Sequence, residues 1–362
     1  MLAFGFLLLM LSGCSHIDDN LLNQEIGDFS HSTVALAAVI QNDFGLAEKI
    51  NSLAFVNNLE LQLEAGGNPD TTLKPLFSGK DIAARQALLA ALTGYAETMA
   101  VVASGKAVKE NLPDISSLVS NLKSLKSEQF NLSHSLTVQE SDDLVNDMSL
   151  FEELFILPAR DARLVPIVEK GEAALKKAAM LLYLDIGAPE DQASQCNYSA
   201  PSNSTELSLS GLKLCRGGLR AIAATAIHFD VTTWKDRLQF ERAQKNSMLA
   251  TKRESVQRLV GIQRVGNDLD QLYADSQAAL TVMLAAHGEI AATLNSAINS
   301  SLSKSFVLSK NALFLQKVGA LVQSSNKVTQ EVEALASPAA AAPSSQSLSD
   351  SFLTTGDDDV SK

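Results

Sequence analysis

The chain predicts an all-α fold, an elongated bundle of long antiparallel helices, on three observations. Apolar residues recur at steps of three and four over long stretches. Runs that alternate apolar and polar residues are nearly absent, and glycine and proline mostly fall between the periodic stretches. A hydrophobic share of 46% over 362 residues is ample for a core, and no period of 20–50 residues marks a solenoid.

The first periodic stretch carries Leu36, Ile40, Phe44, Ala47, Ile50 and Ala54, with Ser32 or Thr33 as its cap. It continues through Leu59 and Leu63 until Gly66-Gly67-Asn68-Pro69 stops it. Residues 14–30 before it read as a polar tether with a short apolar patch at Leu21, Leu22 and Ile26. A second helix carries Ile82, Leu88, Leu89, Leu92, Tyr95, Ala96, Met99 and Val102, is rich in alanine, and closes at Ser104-Gly105. The short connection between the two predicts an antiparallel hairpin.

Pro113 suits the first turn of a third helix with the stripe Ile115, Leu118, Val119, Leu122 and Leu125. After a polar break at 131–141, Leu144, Met148, Phe151, Leu154 and Phe155 resume the helical step up to Pro158. Residues 160–184 form the next helix, which Gly187-Ala188-Pro189 ends, completing an N-terminal helical part over 31–187. A loop follows at 188–218. Brief alternation at Leu207, Leu209, Leu212 and Leu214 predicts a small ribbon there.

The C-terminal part, 219–336, opens with an apolar stretch and the single Trp234. From Trp234 to about residue 300 there is no proline, and Arg237/Glu241, Glu241/Lys245 and Glu254/Arg258 stand at i,i+4. The apolar positions Val256, Leu259, Val260, Ile262, Leu269, Leu272, Leu280 and Met283 keep a helical step. Unbroken, this helix would be roughly 100 Å long; Gly261, Gly266 and Gly288 are the candidate bends. A last helix over 306–335 carries Leu308, Leu315, Val318, Leu321 and Val322. Residues 337–362 shift to Pro, Ala, Ser and Asp, too little apolar surface to offset ordering, and are expected to be disordered. Asp357-Asp358-Asp359 lacks the spacing of a calcium loop and reads as a solvated acidic end.

The functional signal lies at the start. Residues 2–11 form an apolar run that ends in Leu11-Ser12-Gly13-Cys14, too short to span a bilayer and followed at once by polar residues. These four positions resemble the lipobox of bacterial lipoproteins; the customary Lys or Arg before the apolar run is missing from Met1-Leu2-Ala3. The resemblance implies a signal peptide over 1–13 and a mature chain starting at Cys14. That residue would carry a thioether-linked diacylglycerol and, in most Gram-negative bacteria, a further acyl chain such as palmitate. Ser15 in place of Asp implies the outer membrane, facing the periplasm.

With Cys14 lipidated, Cys196 and Cys215 remain as one even pair in an oxidising compartment, and a disulfide is expected. Two free thiols in a helical core and a cysteine metal site are the alternatives; the second lacks a nearby His partner.

Enzymatic signatures are missing. His16, His31, His134, His228 and His287 are not spaced as metal ligands, and His228 and Asp230 point to different sides of a helix. Leu209-Ser210-Gly211 is not a nucleophile elbow, and Cys215-Arg216-Gly217-Gly218-Leu219 lacks the ending of a phosphate loop. The carboxylate pairs Asp142-Asp143 and Glu152-Glu153 are adjacent, as on a wet helix end. No catalytic residue, metal ligand or cofactor is assigned, and the reading leans away from an enzyme. A net charge of −12 and the lack of a basic stretch with interleaved aromatics argue against nucleic acid as a partner.

Two functional expectations follow. The first is a structural or protein-interaction role in the cell envelope, with the membrane as partner through Cys14 and a second envelope protein docked on an exposed apolar strip. The second is a binding module for an apolar ligand such as a lipid or fatty acid. It would need Phe44, Phe55, Phe77, Met99, Met148, Phe151, Phe155 and Met180 to enclose a cavity.

Overall fold

The structure is a computed structural model that describes residues 19–73, 75–77, 79–105, 160–187, 198–199, 213–214, 218–244, 249–299 and 309–337. Among these are six helices: α1 (Asp19–Glu64), α2 (Gly79–Ala103), α3 (Arg160–Ile186), α4 (Gly218–Ala243), α5 (Leu249–Asn299) and α6 (Ser309–Ala336). The all-α bundle is therefore as the sequence predicts. Of the expected ribbon, the described residues show an antiparallel pairing of Tyr198 with Leu214 and Ser199 with Lys213, while Leu207, Leu209 and Leu212 lie outside them. The expected helices within 106–159, Cys14, Cys196, Cys215 and the acidic tail lie outside the described residues.

Two long helices set the frame. α1 and α5 run antiparallel for about 69 Å and 77 Å at 1.5 Å per residue. α3 and α4, of 27 and 26 residues, lie end to end along α5 and together match its 51. At their junction Gly187 and Gly218 both have positive φ, 80° and 78°. A Cβ on Gly218 would stand 2.6 Å from the carbonyl oxygen of Asp185, so only glycine lets α4 begin against the end of α3. Gly187 and Gly218 thus stand side by side in the bundle. α2 packs on α1 and α3, and α6 lies parallel to α1 in the groove between α1 and α5. One apolar core, from Ile26 and Phe29 through Leu88, Met99, Leu182 and Met283 to Val332, joins all six helices. Each large side chain fully buried there contributes about 1.5–3 kcal/mol.

Two boundaries, and the burial of three residues, differ from the sequence reading. α1 starts at Asp19, inside the expected tether, because Leu22, Ile26 and Phe29 extend the buried stripe backwards; Thr33 donates to the carbonyl of Phe29 instead of capping. The expected single helix from Trp234 is two helices that reverse between Ala243 and Leu249, while Gly261, Gly266 and Gly288 stay within α5. The reversal buries Ile227 against Gly266 and lets Ser255 donate to Glu241, 2.7 Å, which a straight rod cannot do. In α6 the buried stripe runs through Phe314, Val318 and Leu321, leaving Leu315 47% exposed. Val256 and Val260, expected in the core, are also exposed.

Candidate functional site

Where α3 ends and α4 begins, a belt of buried polar groups crosses the bundle. Arg85 of α2 meets Asp185 of α3 through Nη2 to Oδ1 at 3.0 Å and Nε to Oδ2 at 2.8 Å, both residues almost wholly buried. The guanidinium lies 5.8 Å from the Phe44 ring centroid, and Phe77 meets Phe44 edge-on. Gln277 of α5 donates to the carbonyls of Tyr183 and Gly187, 2.9 Å each, satisfying the open end of α3. Asp43 of α1 is fully buried, accepts from Ser276 at 2.8 Å, and burial holds its pKa well above the usual carboxylate range. Asp43, Arg85, Asp185 and Gln277 are enclosed by packed helices, so the belt fixes register rather than meeting a substrate.

Towards the start of α1, His287 shares a hydrogen bond with the Tyr95 hydroxyl and packs 5.9 Å from the Phe29 ring. Burial lowers its pKa to about 4, which keeps it neutral at pH 7. The Tyr95 ring lies directly over Gly171, where any Cβ would be 2.5 Å from a ring carbon. At this end Glu289 accepts from the backbone of Lys310, 2.8 Å, and caps α6.

Towards the end of α1, Asp230 of α4 accepts from Asn57, 2.8 Å, and burial raises its pKa to about 6, partly offset by that bond and by Trp234 and Arg258. Arg237 lies 5.2 Å from the Trp234 ring centroid and bridges Glu64, Glu60 and Glu241. Arg258 donates to the carbonyls of Leu335 and Ser337, closing α6. A recess of about 340 Å³ opens among these groups. A larger groove, about 690 Å³, runs between α4 and α5.

Of the residues singled out in the sequence, His31 is exposed on α1, and His228 is exposed on α4 while Asp230 faces α1, so the two do not meet. Glu241 pairs with Arg237 as spaced, at 3.8 Å; Arg258 turns to α6. Phe44, Phe77 and Met99 are core residues packed within the bundle, whereas Met148, Phe151 and Phe155 lie outside the described residues. The alanines of α2 are partly used in the chain's own core: Ala87, Ala91, Ala96 and Ala103 are buried. Residues 85–103 have the length and apolarity of a membrane span, but 67% of that window is buried in the bundle. Among the described residues no group of three or more His, Cys, Asp or Glu is arranged to hold a metal ion. The buried pairs Arg85–Asp185 and Tyr95–His287 escaped sequence reasoning, since their partners stand 100 and 192 residues apart. Compared with protein-family models, curated proteins and solved structures, the chain gives no match to any of the three.

Proposed function

We propose that this chain is a lipid-anchored helical protein of a bacterial envelope, held in the outer membrane through Cys14, facing the periplasm and serving a structural or protein-docking role. The observation that carries the reading is the layout of the bundle around α1. That helix starts five residues after Cys14, so an anchored chain would stand with the start of α1 at the membrane. Its other end is about 69 Å away, and there Val56, Leu63, Leu249, Val256 and Val260 are exposed, against Leu21, Leu313 and Leu315 at the start. A partner held at a distance from the bilayer suits that distribution. A disulfide between Cys196 and Cys215 belongs to the same reading, because it needs the oxidising compartment that the lipobox implies.

The test is the intact mass of protein gently extracted from its own envelope under native conditions. The expected species begins at acylated Cys14, is two protons lighter for Cys196–Cys215, and carries a co-purifying envelope protein. An unprocessed chain without acyl groups overturns the anchor, and with it the compartment and the disulfide.

A further inference from the structure

From the recess near the end of α1 we infer a binding site for a small organic cation, a primary ammonium group on a short apolar chain, which needs neither the anchor nor a docked protein. Helices α1, α4, α5 and α6 all contribute to its lining, which encloses about 340 Å³, the small end of the range for ligand sites. The walls offer open apolar surface: Val56 is 44% exposed, and Leu53 and Leu335 are half-buried.

The charge around the recess is negative. Four carboxylates, Glu60, Glu64, Glu241 and Glu254, stand against two guanidinium groups, Arg237 and Arg258. Arg237 is divided among Glu60, Glu64 and Glu241, and Arg258 is turned to the carbonyls of Leu335 and Ser337. Glu241 carries the observation that points to a ligand. It is 6% exposed, and its Oε1 accepts from Ser255 at 2.7 Å. Its Oε2 is buried and, among the described residues, has no hydrogen-bond donor. Arg237 Nε stands 3.8 Å from Oε1, beyond hydrogen-bond reach.

A buried carboxylate oxygen left without a donor is costly, and an ammonium group brings three donors. Oε2 is reached when the Arg237 guanidinium slides over the Trp234 ring towards Glu60 and Glu64, the exposed partners that already hold it. The ring face stays taken by Arg237, 5.2 Å from its centroid, so the carboxylate and not the ring receives the incoming cation. A quaternary ammonium has no N–H to give. A metal ion fits poorly, because among the described residues no three of His, Cys, Asp or Glu converge as ligands.

The test is titration of the full chain carrying Cys14→Ser with n-butylammonium, followed by NMR at the indole N–H of Trp234, the single tryptophan of the chain, which lines the recess. Butanol is the uncharged control, and butyltrimethylammonium is the cation without donors. A saturable shift with n-butylammonium is expected, and both controls should bind at least about fivefold more weakly. Glu241→Gln keeps an acceptor for Ser255 but removes the carboxylate, and should weaken binding by roughly tenfold or more. Glu254→Gln, at the exposed mouth, should weaken it about twofold, the scale of a surface charge. Glu169→Gln, exposed on α3, should leave it unchanged. Equal melting temperatures establish that the fold is intact; where Glu241→Gln melts lower, Glu254→Gln and the two control ligands decide. No saturable shift, either control binding as tightly as n-butylammonium, or wild-type binding by both Glu241→Gln and Glu254→Gln overturns the proposal. The titrations use the isolated chain, so none of these results bears on acylation of Cys14 or on a co-purifying protein, which the extracted mass reads separately.

Discussion

The two halves of the bundle are built on the same two helices and differ in what surrounds them. Near the start of α1, helices α2, α3 and α6 complete a layer five helices deep, and polar groups inside it are sealed: Arg85 with Asp185, His287 with Tyr95, Asp43 with Ser276. Near its end, among the described residues, α4 and the last turns of α6 join α1 and α5. There Asp230 is buried on Asn57 and Glu241 on Ser255, while Arg237 sits between Glu241 and the exposed Glu60 and Glu64, and Val56, Leu63, Leu249, Val256 and Val260 stand in solvent. The same core chemistry thus yields one half whose polar groups specify alignment and another whose surface is left for contact. A buried cation paired with a buried carboxylate, Arg85 with Asp185, is found in the first half, whereas Arg237 of the second reaches out to exposed glutamates.

The largest expected effect tests that contrast directly. Arg85→Met leaves the Asp185 carboxylate buried without its cation and should cost about 3–5 kcal/mol. The double variant Arg85→Met with Asp185→Leu should recover most of this, since both charges are then gone. Arg237→Ala, which breaks ion pairs with the exposed Glu60 and Glu64 and a longer one, 3.8 Å, with the buried Glu241 that Ser255 still bonds, should cost less, about 1–2 kcal/mol. Urea unfolding with an unchanged slope is the measurement. Equal costs for Arg85→Met and Arg237→Ala would mean that the two halves do not differ in the way their burial indicates.

A second contrast lies in pH. His287 has a folded pKa of about 4, below its ordinary 6.5, so on acidification the unfolded chain takes up the proton first. Its contribution is whole above pH 6.5 and is lost as pH falls towards 4, about 3 kcal/mol in all. Asp230 has a folded pKa of about 6, above its ordinary 3.8, so here the folded chain takes the proton first. Its buried charge costs about 3 kcal/mol at neutral pH, and that cost is relieved as pH falls from 6 towards 3.8. Within one window the two halves respond with opposite sign. Asp230→Asn should therefore lose more stability between pH 7 and pH 4.5 than the wild type, and His287→Gln should lose less or gain. Identical pH slopes in the two variants, measured by urea unfolding at each pH, would remove the distinction.

How much of this was legible in the sequence follows from what each feature depends on. The stripes of α2 and α3, the stop at Gly66 and the turn at Gly105 are local, set by apolar spacing and by glycine at positive φ, 80° and 70°, and they read directly. The start of α1 was missed by about a dozen residues because Asp18, Asp19 and Asn20 mask the buried Leu22, Ile26 and Phe29. The reversal between α4 and α5 was missed for the opposite reason: Arg237, Glu241 and Lys245 continue a helical charge spacing across a turn that only tertiary packing selects. The site residues divide in the same way. Cys14 is read from four adjacent positions, whereas the groove takes its lining from Arg220–Lys235 and Gln263–Tyr273, two segments whose facing sides exist only once the chain has turned back. Neither segment alone shows that its polar side will face the other.

The smallest expected effect on stability is at the exposed valines, and it separates folding from docking. Val256 and Val260 stand one helical turn apart on α5 and are 48% and 58% exposed. Replacing both by serine removes little buried area, so the stability of the chain should change by about 0.5 kcal/mol or less per site. Docking is a different matter, because an apolar pair that a partner covers contributes to association in proportion to the area removed from water. In native-mass measurements on extracted protein, Val256→Ser with Val260→Ser should diminish the co-purifying envelope protein while the anchored chain remains. A control double change, Leu313→Ser with Leu315→Ser on α6, alters two exposed leucines nearer the start of α1 and should leave that partner bound. Loss of the partner in both variants would assign docking to the whole length of the bundle; loss in neither would take the exposed end of α5 out of the interface.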